Sequence, residues 1–353
     1  MKQKNNPRIL VLAITLFCLV YMICAPRPLS TELYLVPDWT EDISRVQEGK
    51  EGDVLIPFRL SQNIGFFTPD GRVVSSITFP FKAAISECWY ATYGAANRAT
   101  ELHRPTGETG ATINAEGFPF FDADRIYLFL PGGTSFARYS EDGNQLWKYE
   151  SYAPITAFSS TEGGTVAGFA DGNMVSFTKD GSIDQRFAPG GSAIPVILGA
   201  AISGDGKLIA CVSGREQQRF VLAQKSGGHS KIMFHEYAEQ DLVTQVLVHF
   251  NRAADTVYYN YNGGLGIVDI AKLSSSHVPI KGTIVQIEES EVENLVFILS
   301  KDENRYTVTA LEPFDHPAAQ FSFEGESAFI KVHGEALFVG RNNKISRLTV
   351  ARK

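Results

Sequence analysis

From about residue 31 onward the chain is written in short runs of alternating apolar and polar residues, each broken by a polar turn. The clearest stretch reads PITAFSS (154–160), GTVAGFA (164–170), NMVSFTK (173–179) and SIDQRFA (182–188), with Asp171-Gly172 and Asp180-Gly181 separating the last three. Alternation with a period of two predicts half-buried strands, and Asp-Gly between such runs predicts tight hairpins, because glycine accepts the positive φ they need. Residues 125–150 repeat the pattern as RIYLFLP, Gly132-Gly133, TSFARYS, Asp142-Gly143 and NQLWKYE.

One turn keeps returning: Thr68-Pro69-Asp70-Gly71, Arg104-Pro105-Thr106-Gly107, Ser140-Glu141-Asp142-Gly143, Thr178-Lys179-Asp180-Gly181 and Gln224-Lys225-Ser226-Gly227. Their glycines are 36, 36, 38 and 46 residues apart, and looser equivalents follow near Lys272 and Pro313. A period of about 40 residues with several strands per unit predicts an all-β propeller of four-stranded blades. Dividing the chain at its turns gives units at about 40–80, 81–116, 117–152, 153–191, 192–238, 239–282, 283–324 and 325–350. That makes eight blades, or seven if residues 38–80 are wrongly divided. The last unit is one strand short, and the isolated stretch Thr31–Val36, closed by Pro37, is expected to supply the missing outer strand. Closure of this kind removes open sheet edges.

FARYSEDGNQLWKYE (136–150) resembles the repeat of PQQ-like propellers, in which an acidic-Gly turn is followed by a tryptophan on the outer strand. FFTPDGRVV (66–74) and VSFTKDGSI (175–183) are similar to degraded copies of it, and equally to NHL and WD40-like repeats. The resemblance implies an eight-bladed ring, with Trp147 packed between neighbouring blades. Extracytoplasmic, non-enzymatic members of that group act in envelope protein assembly.

Composition adds compartment and excludes some chemistry. Lys2, Lys4 and Arg8 form a short basic tail (1–8) before a charge-free apolar run at 9–25, which as a helix would span about 25 Å. Such a run is expected to be an uncleaved anchor in the lipid bilayer, with the N-terminus cytoplasmic. Cleavage after Ala25 would place Ile23 and Pro26 at the sensitive positions, and Cys24 lacks small residues before it. A spacer (26–30) would then lead to an extracytoplasmic, periplasmic propeller domain at 31–353. Net charge is −7 with no basic block beyond the N-terminus, which argues against nucleic acid. A ring closed by one chain predicts a monomer.

No constellation points to a reaction. The three tryptophans (39, 89, 147) and four dispersed cysteines do not supply the tryptophan floor and adjacent cysteine pair of a quinone cofactor, so no cofactor is expected. The seven histidines (103, 229, 235, 249, 277, 316, 333) lack metal-ligand spacing, so no metal is expected either. Asp122 and Asp124 are expected in an inter-strand turn, and Glu288, Glu289, Glu291 and Glu293 in a solvated loop. The propeller connections that share the customary binding face carry Phe81, Phe118, Phe120, Tyr152, Arg215, Tyr237, Tyr261 and Arg341. Exposed aromatics with arginine are the composition of an interaction hot spot. The expected function is therefore a non-catalytic protein-binding scaffold in a bacterial envelope. The alternatives are a glycan hydrolase or lyase, or a small-ligand sensor, using the axial funnel.

Overall fold

The computed structural model describes residues 14–17, 33–94, 98–290 and 292–352. Eight antiparallel sheets follow one another around a ring in the order the repeat predicts, and all but the first keep the expected boundaries: residues 40–42 belong to blade 8, and the strands of blade 1 begin only at Ile56. We letter the strands of a blade A to D from the axis outward. The A strands of blades 2 to 8 are Lys82–Ile85, Phe118–Asp122, Ile155–Thr161, Ile194–Ile202, Val248–Phe250, Thr283–Ser290 and Ala328–His333.

Seven sheets have four strands, and blade 1 has three: Ile56–Leu60, Asn63–Phe67 and Val73–Thr78. Its Asp70-Gly71 turn joins the last two of these, as Asp142-Gly143 and Asp180-Gly181 join strands C and D elsewhere. The three strands therefore correspond to B, C and D. The chain reaches them along the outside of the blade, where Val46 bridges Val73 in parallel and Gln47 N–H donates to the Val73 carbonyl at 2.8 Å.

The predicted closing strand exists and is longer than expected. Leu33–Asp42 pairs antiparallel with Lys344–Arg352 as the outer strand of blade 8, running past Pro37 through a bulge between Pro37 and Trp39. Proline does not end it, because at a sheet edge with a bulge the missing N–H has no ladder to break. Residues 31 and 32, where the expected strand begins, lie outside the described residues, as does the expected anchor at 9–25 apart from the helical residues 14–17. Among the described residues no helix is long and apolar enough to cross a membrane.

The core is not one body but eight wedges, each holding buried side chains from two adjacent blades. Blades 3 and 4 meet through Tyr127, Phe136, Phe169 and Phe177, and blades 8 and 1 through Phe338, Phe329, Phe58 and Phe67. Trp147, on strand D of blade 3, stacks on Phe177 of blade 4 at 5.5 Å between ring centroids, between neighbouring blades as the repeat implies. It also covers Gly181 in the C–D turn of blade 4, where φ is +85° and a Cβ would collide with the indole. Trp39, on the closing strand, occupies the equivalent seat. It lies on Gly71 (φ +99°) in the C–D turn of blade 1 and 5.9 Å from Phe338. The sequence hides this equivalence because the two tryptophans belong to strands at opposite ends of the repeat order.

Truncation of a half-buried tryptophan from such a seat is expected to cost about 2 kcal/mol. Trp39→Ala and Trp147→Ala should therefore lower the urea unfolding midpoint by similar amounts. An unchanged midpoint for Trp39→Ala would mean that the closing strand contributes no packing.

Candidate functional site

Two regions of the ring carry functional groups. The first is a cavity of about 1090 Å³ on the axis, lined by residues of all eight blades. Its walls are Ile56, Phe120, Phe158, Val248, Phe250 and Ile287, and its charged groups gather where the A strands end. An inner strand sends alternate side chains into the wedges on its two sides, as Ile330 and Phe329 of blade 8 do, and only its inner edge and its end reach the axis, where polar residues are tolerated. At the opposite end the loop before blade 6 reaches across blade 5. There Gln245 Nε2 donates to the Thr156 carbonyl of blade 4 at 2.8 Å.

The cavity carboxylates converge on cations. Lys331 Nζ, on strand A of blade 8, lies 3.1 Å from Glu87 Oε1 of blade 2 and 3.7 Å from Glu288 Oε1 of blade 7. Arg125 donates to Asp122 Oδ2 at 3.0 Å, to Ser160 Oγ at 2.9 Å and to Glu162 Oε1 at 2.5 Å. Glu289 holds His249 Nε2 at 3.2 Å and accepts from the Arg252 backbone N–H. Burial pushes the carboxyls of Asp122 and Glu288 above the usual carboxylate range, although Arg125 and Lys331 pull them down. Burial opposes the Lys331 charge, but Glu288 and Glu87 outweigh it and hold the ammonium above its ordinary value.

Glu288 and Glu289 correct the expectation of a solvated loop. Both belong to the inner strand Thr283–Ser290 and line the cavity, whereas Glu293 sits in the following turn beside Arg352. The run of acids conceals a strand end because axis-facing positions on inner strands are polar. Glu291 lies outside the described residues. Asp122 does close an inter-strand turn, with Ala123 at φ +51°, and also faces the cavity.

The second region is the face formed by the D–A and B–C connections. Phe81 and Phe118 are 49% and 44% exposed there, and Lys82 Nζ lies over both rings at 5.9 and 5.4 Å from their centroids. Phe120 instead points into the cavity against Phe158, 5.5 Å away. Tyr237 lies under the Arg219 guanidinium at 5.9 Å, and Tyr261 meets the His277 ring at 4.9 Å. Tyr152, Arg215 and Arg341 are exposed on other connections of the same face. The structure thus brings together Phe81 and Phe118 and leaves the other expected residues apart from them.

Among the described residues no group of three or more His, Cys, Asp or Glu side chains could hold a metal ion. Cys88 and Cys211 are free thiols, and burial pushes Cys211 up to about 12. Trp39 and Trp147 occupy inter-blade seats and Trp89 is fully buried, so none forms a floor for a planar cofactor on the axis.

A closed ring of antiparallel blades around a lined axis defines a β-propeller. The chain belongs to the beta-propeller protein family, whose model matches residues 1–353. It is 29% identical over 362 residues to an "Uncharacterized protein" of Treponema pallidum (strain Nichols), covering 99% of this chain and 96% of that one. The crystal structure of BamB from Moraxella catarrhalis is similar in fold, with a TM-score of 0.60 at 10% identity over 90% of this chain and 100% of that one.

Removing one partner of a buried ion pair typically costs about 3 kcal/mol. Lys331→Met should lose about that much at neutral pH, because Glu288 stays buried without its cation. A carboxyl raised in the folded state is stabilising when protonated, so stability falls as pH rises through its folded pKa. The deficit of Lys331→Met should therefore shrink as pH is lowered toward the ordinary glutamate value of 4.5. Urea titrations from neutral to acidic pH check this, and a deficit independent of pH would remove the ion-pair assignment.

Proposed function

We propose that the protein is a non-catalytic interaction propeller, held at the cytoplasmic membrane by residues 9–25 with its ring on the extracytoplasmic side. There it serves as a protein-binding scaffold in a bacterial envelope. One contrast carries this reading. Asp122, Glu87 and Glu288, the acids best placed for axial chemistry, are each neutralised by Arg125 or Lys331, whereas half-exposed aromatic rings stand on the D–A/B–C face. An acid held in an ion pair is poorly placed to exchange protons with a substrate, whereas exposed aromatics beside cations are what interface centres use. The narrower likeness to PQQ-like repeats supports an assembly role, and the basic tail before the apolar run supports the orientation.

The competing reading, a glycan hydrolase, lyase or ligand sensor on the axis, has one observation in its favour. Burial raises both Asp122 and Glu288, as it does in many catalytic acids. The cations beside them weigh against it.

Photo-cross-linking from positions 118 and 152 in intact membranes should capture one stoichiometric partner. Phe118→Ala combined with Tyr152→Ala should abolish its co-purification. Failure to capture a discrete partner from either position would sink the scaffold reading.

A further inference from the structure

The proposed binding face is not uniform. Phe81 immediately precedes strand A of blade 2 and Phe118 opens strand A of blade 3, so both rings stand at the axial rim. Lys82 spans them, and Tyr93, from the B–C side of blade 2, packs on Phe118 at 6.1 Å. On the blade 1 side, the Arg59 guanidinium lies 5.4 Å over Phe79 and donates to the Ala83 carbonyl at 3.3 Å. Burial raises the Tyr93 phenol, and the Arg59 charge partly offsets this.

The charge of this sector departs from the rest of the molecule. Its strand ends and connections contribute Arg59, Lys82 and Arg98 against two acids, Glu101 and Glu116, in a chain of net charge −7. Lys331 and Arg125 are each tied to two or more carboxylates. By contrast, no carboxylate among the described residues pairs with Lys82 or Arg59, whose cationic groups rest on aromatic rings. Lys82, held over exposed rings, and Arg59, exposed over the buried Phe79, keep their capacity to pair with a carboxylate, and Phe81 and Phe118 keep apolar area to be covered.

We propose that this patch docks an acidic segment of a partner protein, in which carboxylates flank an aromatic or aliphatic side chain. The carboxylates engage Lys82 and Arg59, and the apolar side chain covers Phe81 and Phe118. This rests on the scaffold reading and narrows it to one sector and one chemistry. An anionic lipid surface fits less well. Each basic residue near such a surface is worth only about 1 kcal/mol, and the surplus negative charge elsewhere on the ring opposes approach.

Full-length protein in neutral detergent micelles would be titrated against a fluorescent peptide whose phenylalanines are flanked by aspartates, and against its lysine counterpart. Only the acidic peptide should raise anisotropy, with an affinity that falls as salt is added. Phe118→Ala should weaken it about 10-fold, the effect of losing one hot-spot side chain. Lys82→Glu should abolish it, with the thermal midpoint unchanged. Equal binding of both peptides, or indifference to Lys82→Glu, overturns the proposal. So does Lys82-dependent binding to phosphatidylglycerol vesicles without binding of the acidic peptide. A membrane partner captured as above that stays bound to Lys82→Glu also overturns it and leaves the scaffold reading standing. No captured partner at all overturns the scaffold reading itself.

Discussion

The ring depends on apolar side chains packed between neighbouring blades. No blade can bury its own faces, since each sheet is one layer thick and exposes both sides until a neighbour covers them. Eight wedges satisfy this, and each uses residues of only two blades. Such an arrangement is stable only when the last wedge is filled as well as the first. That requirement explains the closing strand: Leu33 and Leu35 lie against the wedge between blades 7 and 8, and Trp39 fills the one between blades 8 and 1. It also explains how blade 1 manages with three strands, because Phe58 and Phe67 of its own strands still fill the wedge toward Phe329 and Phe338.

The same packing decides what is left for function. The inner strands give both faces to the wedges beside them, and only their edges and ends reach the axis, so the cavity collects charge from residues far apart in the chain. Lys331 meets Glu87, 244 positions away, across the start of blade 1. These pairs stitch blades 7, 8 and 2 together at the cavity. The opposite face carries different material. Its connections begin the inner strands, so Phe81 and Phe118 are fixed by the scaffold yet stand half exposed. A rigid aromatic pair bridged by an ammonium suits recognition, because little side-chain entropy remains to be lost on binding.

Much of the fold could be read from local pattern. The C–D glycines needed positive φ, the strands alternated, and the spacing was near constant, so blade number and boundaries followed. The closing strand was legible as the complement of an incomplete last blade, but its length was not, because Pro37 looks like a terminator until the bulge at the sheet edge is seen. The missing inner strand of blade 1 was hidden by the period, which assigns a full unit to about 40–80, although the run at 48–53 is rich in glycine and charge and poor in strand formers. At the site, exposed aromatics were legible by residue type. Phe120 looked like its neighbours and faces inward, and Glu288 looked like part of a solvated run and lies in an ion pair.

The sequence by itself determined the module, because turn geometry and two-residue alternation are local properties that each unit carries in full. It also determined that the modules must close, since an incomplete final unit and a spare strand can satisfy each other only in a ring. Only the tertiary structure decided which charges meet, which tryptophans share a role and which rings remain exposed. Those outcomes depend on which face of each strand the neighbouring blade covers, and that is fixed by contacts between residues that no local pattern connects.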